Sequence, residues 1–128
     1  MIFLDTTFVV GLFVSNDDWH ESAVKVYNEI RNEKLVISNL VIAETVTILK
    51  NKLQTKDILE IYRNIPNFFH VVDDNDLYDA AMNEFVKYDS SISFFDAMYV
   101  AIMKKEDILK IASFDSDFDK VDNLIRLC

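Results

Sequence analysis

Short apolar runs alternate along the chain with longer stretches in which apolar residues recur every three or four positions. Ile2-Phe3-Leu4 is stopped by Asp5, and Thr6 or Thr7 is placed to cap a helix over about 8–15. Asn16-Asp17-Asp18 then breaks the pattern and caps a second helix, with His20, Ala23, Val24, Tyr27 and Ile30 on one face as far as Arg31. Residues 34–37 read as a second strand, and Ser38 is a suitable N-cap for a third helix to about Lys50. Thr55 opens a fourth helix that is expected to stop before Pro66, whose ring disfavours helical backbone at Ile65. A third strand falls over 68–72. Asp73 or Asp74 caps a fifth helix to about Tyr88, and Ser91 or Ser93 opens a sixth to about Lys105. A fourth strand lies within 108–114, and a last short one covers about 124–127.

Strands separated by helices call for parallel pairing, because parallel neighbours need a crossover. The expectation is one α/β domain over residues 1–128, a three-layer α/β/α sandwich around a mainly parallel sheet. In such folds ligands gather beyond the carboxyl ends of the strands. Residues that directly follow a strand are therefore the ones to inspect.

Composition narrows the chemistry. A single glycine, Gly11, allows neither a G-x-G-x-x-G dinucleotide turn nor a phosphate-binding P-loop. One cysteine and two histidines fifty positions apart leave no disulfide, no cysteine-rich zinc site and no H-E-x-x-H motif. At 51 % apolar and 27 % charged residues the chain is expected to fold. No apolar run approaches the ~20 residues of a membrane span, and the start lacks a basic leader, so a cytoplasmic protein is expected. Carboxylate is what remains in quantity: 22 Asp plus Glu against 13 Lys plus Arg, a formal charge of −9.

Several of these acids stand where the pattern calls for apolar residues. Asp5 ends the first strand and Asp115 follows Ile111-Ala112-Ser113-Phe114. Glu44 shares a helical face with Leu40, Val41 and Ile48, while Asp96 has Ile92 and Ser93 behind it and Tyr99 and Val100 ahead. Neither stripe carries a Lys or Arg. Burying carboxylates without a cation is costly, and each converging pair at ~4 Å would repel by about 4 kcal/mol at an effective dielectric of 20. A divalent cation resolves the conflict. Oxygen-only ligation suits Mg²⁺ or Mn²⁺, one or two ions, and points to metal-assisted phosphodiester hydrolysis.

Taken in order, Asp5-Thr6-Thr7, Glu44 within Ser38-Asn39-Leu40-Val41-Ile42-Ala43-Glu44, Phe95-Asp96-Ala97 and Ser113-Phe114-Asp115-Ser116-Asp117-Phe118 resemble the PIN domain nucleases, and within them the VapC toxin type. The resemblance covers the whole chain. It implies a five-stranded sheet ordered 3-2-1-4-5 and a Mg²⁺- or Mn²⁺-dependent endoribonuclease leaving a 5′-phosphate and a 3′-hydroxyl. It also implies an antitoxin partner and a homodimer. Asp5, Glu44, Asp96 and Asp115 match the acidic quartet of catalytic metal ligands, and Asp117 a frequent fifth acid. Thr7 matches a hydroxyl two places after the first Asp. Ser113 stands where the family often has Thr, and both hydroxyls are expected to orient a carboxylate or a water.

A chain of charge −9 should repel RNA. Two bound divalent ions would bring that balance to about −5. Lys50 and Lys52, with Lys104 and Lys105, end the Glu44 and Asp96 helices and are the candidate RNA contacts. Other residues read as structural: Glu84 as surface because Lys87 follows it, His20 and His70 as packing or surface, and Trp19 as packing rather than a base platform. A haloacid-dehalogenase-like phosphatase would need D-x-D-x-T, but Asp5 is followed by Thr6-Thr7-Phe8-Val9. The alternatives that stay open are an RNA-processing nuclease with no antitoxin and a silent PIN binding module.

Overall fold

The computed structural model describes residues 1–128. The strands are β1 (Ile2–Leu4), β2 (Leu35–Ser38), β3 (His70–Val72), β4 (Lys110–Ala112) and β5 (Ile125–Leu127). The helices are α1 (Thr6–Phe13), α2 (His20–Ile30), α3 (Asn39–Leu49), α4 (Thr55–Phe68), α5 (Tyr78–Lys87) and α6 (Phe94–Lys105), with a 3₁₀ turn at Ser116–Lys120. One sheet forms in the order β3-β2-β1-β4-β5, and every pairing is parallel. β1 is central, with Phe3 in register with Val36 on one side and Ile111 on the other. All three residues of β1 are fully buried, as a strand covered on both faces requires.

The strand order fixes the layers. From β1 the chain steps outward through β2 to β3, then returns to the other side through β4 to β5. Right-handed crossovers therefore put α1 to α4 on one face and α5 and α6 on the other. The packing agrees, since α1 meets α2 and α3, α3 meets α4, and α5 meets α6. The reversal occurs between β1 and β4, where the edges carrying Asp5 and Ser113 lie side by side. The Asp5 N–H donates to the carbonyl of Ala112 at 3.2 Å.

Four local expectations are corrected. Asp5, not Thr6 or Thr7, caps α1, its Oδ1 accepting from the Phe8 N–H at 3.0 Å. α4 runs through Pro66 to Phe68. Ile65 and Phe69 are buried in the core and hold the turn helical, and Pro66 falls in the last turn, where only the one bond its missing N–H would have made is forfeited. Neither Asp73 nor Asp74 caps α5, which starts at Tyr78; the buried Asp74 reaches back instead to the Leu40 N–H at 2.9 Å, supporting the start of α3. Glu84 is not a surface residue. It is buried between α5 and α6 and paired with Lys104.

Candidate active site

Asp5 is held from three directions. Its Oδ1 accepts from the Thr7 hydroxyl at 2.7 Å as well as from the Phe8 N–H, and its Oδ2 accepts from the Ser113 hydroxyl at 2.6 Å. Thr7 Oγ1 also accepts from the Phe114 N–H at 3.0 Å, and Ser113 Oγ from the Asp115 N–H at 2.9 Å. The two hydroxyls thus tie the end of β1 to the turn after β4. Burial pushes the Asp5 carboxyl up to about 6 despite these bonds, with the neighbouring Asp115 adding to the rise.

Asp96 is carried on the first turn of α6, capped by Ser93, whose Oγ accepts from the Asp96 N–H at 3.1 Å. Its carboxyl is pushed up to about 8, by burial first and then by the charges of Asp115 and Asp5. Asp115 caps the 3₁₀ turn, accepting from the Asp117 N–H at 2.9 Å, and this folds Asp117 back beside it. Asp96, Asp115 and Asp117 offer carboxylate oxygens that all lie within 4.8 Å of one another. The one cation in contact is Lys120, which pairs with Asp117 at 2.9 Å from the exposed side and also donates to the carbonyl of Ser91.

Glu44 stands apart from that trio. Its Oε1 accepts from the Thr6 hydroxyl in a short contact and from the Tyr99 hydroxyl at 2.9 Å, so one oxygen is fixed and Oε2 has no protein partner. Tyr99 is buried, and its ring packs 5.4 Å from that of Phe3. Burial, together with the carboxylates of Glu44 and Asp5, holds its phenol protonated well above the usual range. Spacing alone did not single out Thr6 or Tyr99. Tyr99 falls three positions after Asp96, a helical neighbour on the same face, which is the signal that was available.

Arg126 was also missed. From β5 its guanidinium clasps Asp119 with two bonds of 2.9 Å and donates to the Ser113 carbonyl at 3.2 Å, steadying the turn that carries Asp115.

The candidate RNA-contacting lysines lie at or just beyond the C-terminal ends of α3 and α6. α3 and α6 both start at the site edge and run away from it. At 1.5 Å per residue Lys50 is about 9 Å along the axis from Glu44, and Lys104 and Lys105 about 12 Å or more from Asp96. Lys104 is engaged by Glu84, and Lys52 lies 3.9 Å from Asp17.

The PIN domain family model matches residues 2–124. Ribonuclease VapC6 of Methanocaldococcus jannaschii is 26 % identical over 145 aligned positions, covering 94 % of this chain and 92 % of its own length. Among solved structures, VapC20 of Mycobacterium tuberculosis, a toxin that cleaves the sarcin-ricin loop, is 27 % identical, covers 94 % of both chains and superposes with a TM-score of 0.83. VapBC2 of Rickettsia felis, solved with a DNA fragment from its promoter, shares the fold at a TM-score of 0.73 with 15 % identity, covering 98 % of this chain and 97 % of the other. By its matched length, its 3-2-1-4-5 parallel sheet and its acids at the switch point, the chain belongs to the PIN domain family, where its relatives include the ribonuclease VapC6 and the toxin VapC20.

Proposed function

We propose that this protein is a Mg²⁺- or Mn²⁺-dependent endoribonuclease, the toxin of a toxin–antitoxin pair, working in the cytoplasm as a homodimer. One observation carries the reading: three carboxylates within 4.8 Å of one another, one of them buried on a helix, with Asp5 beside them and no buried cation among them. The names of the relatives support it, one being a ribonuclease and another a toxin that cleaves the sarcin-ricin loop. Structural relatives solved as two-component assemblies, VapBC2 among them, favour an antitoxin partner. No helix is long and apolar enough to cross a membrane.

The donor set fits a hard divalent ion, being all oxygen and overcharged without one. Asp96, Asp115 and Asp117 would hold it. Such an ion supplies Lewis-acid activation of water and offsets the charge that builds on the phosphoryl oxygens. The protein's own contribution is placement. Thr7 and Ser113 fix both oxygens of Asp5, so its charge is aimed at the cluster without rotamer freedom. Thr6 and Tyr99 pin Oε1 of Glu44, leaving Oε2 to accept the proton of the attacking water. The test is cleavage of a 5′-labelled RNA by the purified, antitoxin-free chain, with and without a chelator, alongside Asp96→Asn. Products ending in a 3′-hydroxyl, lost with chelator and in the variant, are expected. Cleavage that survives both contradicts the proposal.

A further inference from the structure

An aromatic ladder climbs from the core to the surface beside the acids. Phe8 on α1 is fully buried, and its ring stacks on Phe114 with centroids 5.8 Å apart and planes 23° from parallel. Phe114 in turn carries the Trp19 indole at 4.9 Å and 3°. Trp19 is still 50 % exposed although one face of its ring is covered by Phe114.

The indole is held in place. Its backbone N–H donates to Asp17 Oδ2 at 3.0 Å, and the next residue, His20, bonds through Nδ1 to the Gly11 carbonyl at 2.8 Å. Gly11, the only glycine, lies under the stack, where an added Cβ would already sit 3.4 Å from the Trp19 Cβ and 3.5 Å from Phe114 Cε2. Phe114 is the chain neighbour of Asp115, and its N–H bonds to the same Thr7 hydroxyl that holds Asp5. Ladder and acid cluster share one hydrogen-bonded frame.

Phosphate neutralisation is a poor source of RNA affinity for this molecule. Its formal charge is −9, and Lys120, Lys104 and Lys52 are each drawn to an acid. Stacking on an aromatic face does not depend on charge and tolerates any base.

We propose that Trp19 is the base-stacking platform of the substrate surface, taking an unpaired nucleobase next to the scissile phosphate on its half-exposed indole. The proposal rests on the ribonuclease reading above. It requires a single-stranded or splayed-out nucleotide at the cut, and it entails a shallow dependence of binding on salt.

Trp19 is the only tryptophan, so indole fluorescence reports this contact alone. In stopped-flow mixing of the wild-type protein with Mg²⁺ and a mixed-sequence RNA ten-mer, fluorescence should be quenched before product forms. An abasic strand of the same length should give no quench. Trp19→Ala should raise KM by about tenfold to a hundredfold, the worth of one base stack, with kcat changed less, and Trp19→Phe should recover most of the loss. Cleavage by wild type with no quench and an unchanged KM in Trp19→Ala overturns the platform and leaves the nuclease standing. Equal quenching by the abasic strand, or quenching only by an added protein partner, also overturns it. Absence of any cleavage by wild type overturns the underlying reading instead. Should Trp19→Ala fail to fold, the wild-type fluorescence and the Trp19→Phe kinetics still decide.

Discussion

Asp96 and Glu84 are both carboxylates on helices of the same layer, each 8 % exposed, yet their surroundings are opposite. Glu84 faces Lys104 across the α5–α6 contact, a half-exposed lysine that neutralises it. Asp96 sits at the other end of the same helix as Lys104 and meets Asp115 and Asp117 instead. One carboxylate is balanced by the fold, while the other waits for a charge the chain does not supply. Burial of an acid is therefore not what distinguishes a reactive site from a structural one; the missing counter-charge is.

Exchanging each acid for its amide probes that contrast most strongly. Asp96→Asn should lower RNA cleavage by more than about a hundredfold, beyond what loss of a supporting partner costs a metal site, and Asp5→Asn should do likewise. Glu84→Gln should leave cleavage within about threefold, because the pair it breaks is remote from the site. Initial rates on a labelled RNA compare the three.

Loss of Lys104 tests the balanced side. Lys104→Met strands Glu84 in a buried setting and should cost about 1–3 kcal/mol in chemical denaturation, with cleavage little changed once folded. Asp96 should behave in the opposite sense. Its carboxyl titrates near 8 in the folded protein but at an ordinary low value when unfolded, so its contribution to stability is complete at acid pH and is lost as pH rises through 8. Asp5, raised to about 6, adds loss in the lower part of that window. Metal-free Asp96→Asn should therefore melt higher than wild type at pH 8, by at least about 3 °C, with the gap closing toward pH 5. A melting series across that range, with chelator, measures it.

Smaller effects sharpen the same picture. Tyr99→Phe frees the Glu44 oxygen from one of its two hydroxyls and should lower kcat about tenfold with stability nearly intact. Lys120→Met removes the one exposed cation that competes for Asp117 and should tighten divalent-ion binding by no more than about fivefold, the scale of a surface ion pair.

The contrast also explains how far the sequence could be read. Strand order followed from the family resemblance; the acids at 44 and 96 stood out because they interrupt an apolar helical stripe and those at 5 and 115 because they stand at the end of a strand, both local properties. Glu84 interrupts it too, and Lys87 close by in sequence suggested a solvated face. Its true partner lies twenty positions away on another helix, where no spacing rule reaches. The same limit hid Thr6 and Arg126, whose partners come from different elements. Pro66 misled for a different reason: the preference of the preceding residue is weaker than the burial of Ile65 and Phe69.

Calorimetric titration of the metal-free protein with Mn²⁺ at pH 7, repeated in buffers of different ionisation enthalpy, goes most directly to whether the acid cluster is built around an absent cation. Saturable binding with release of about one proton per site is expected, because Asp96 enters protonated and must give up its proton to bind, together with a higher melting temperature in wild type but not in Asp96→Asn. No binding at millimolar Mn²⁺, or binding without proton release and unaltered in Asp96→Asn, would contradict it.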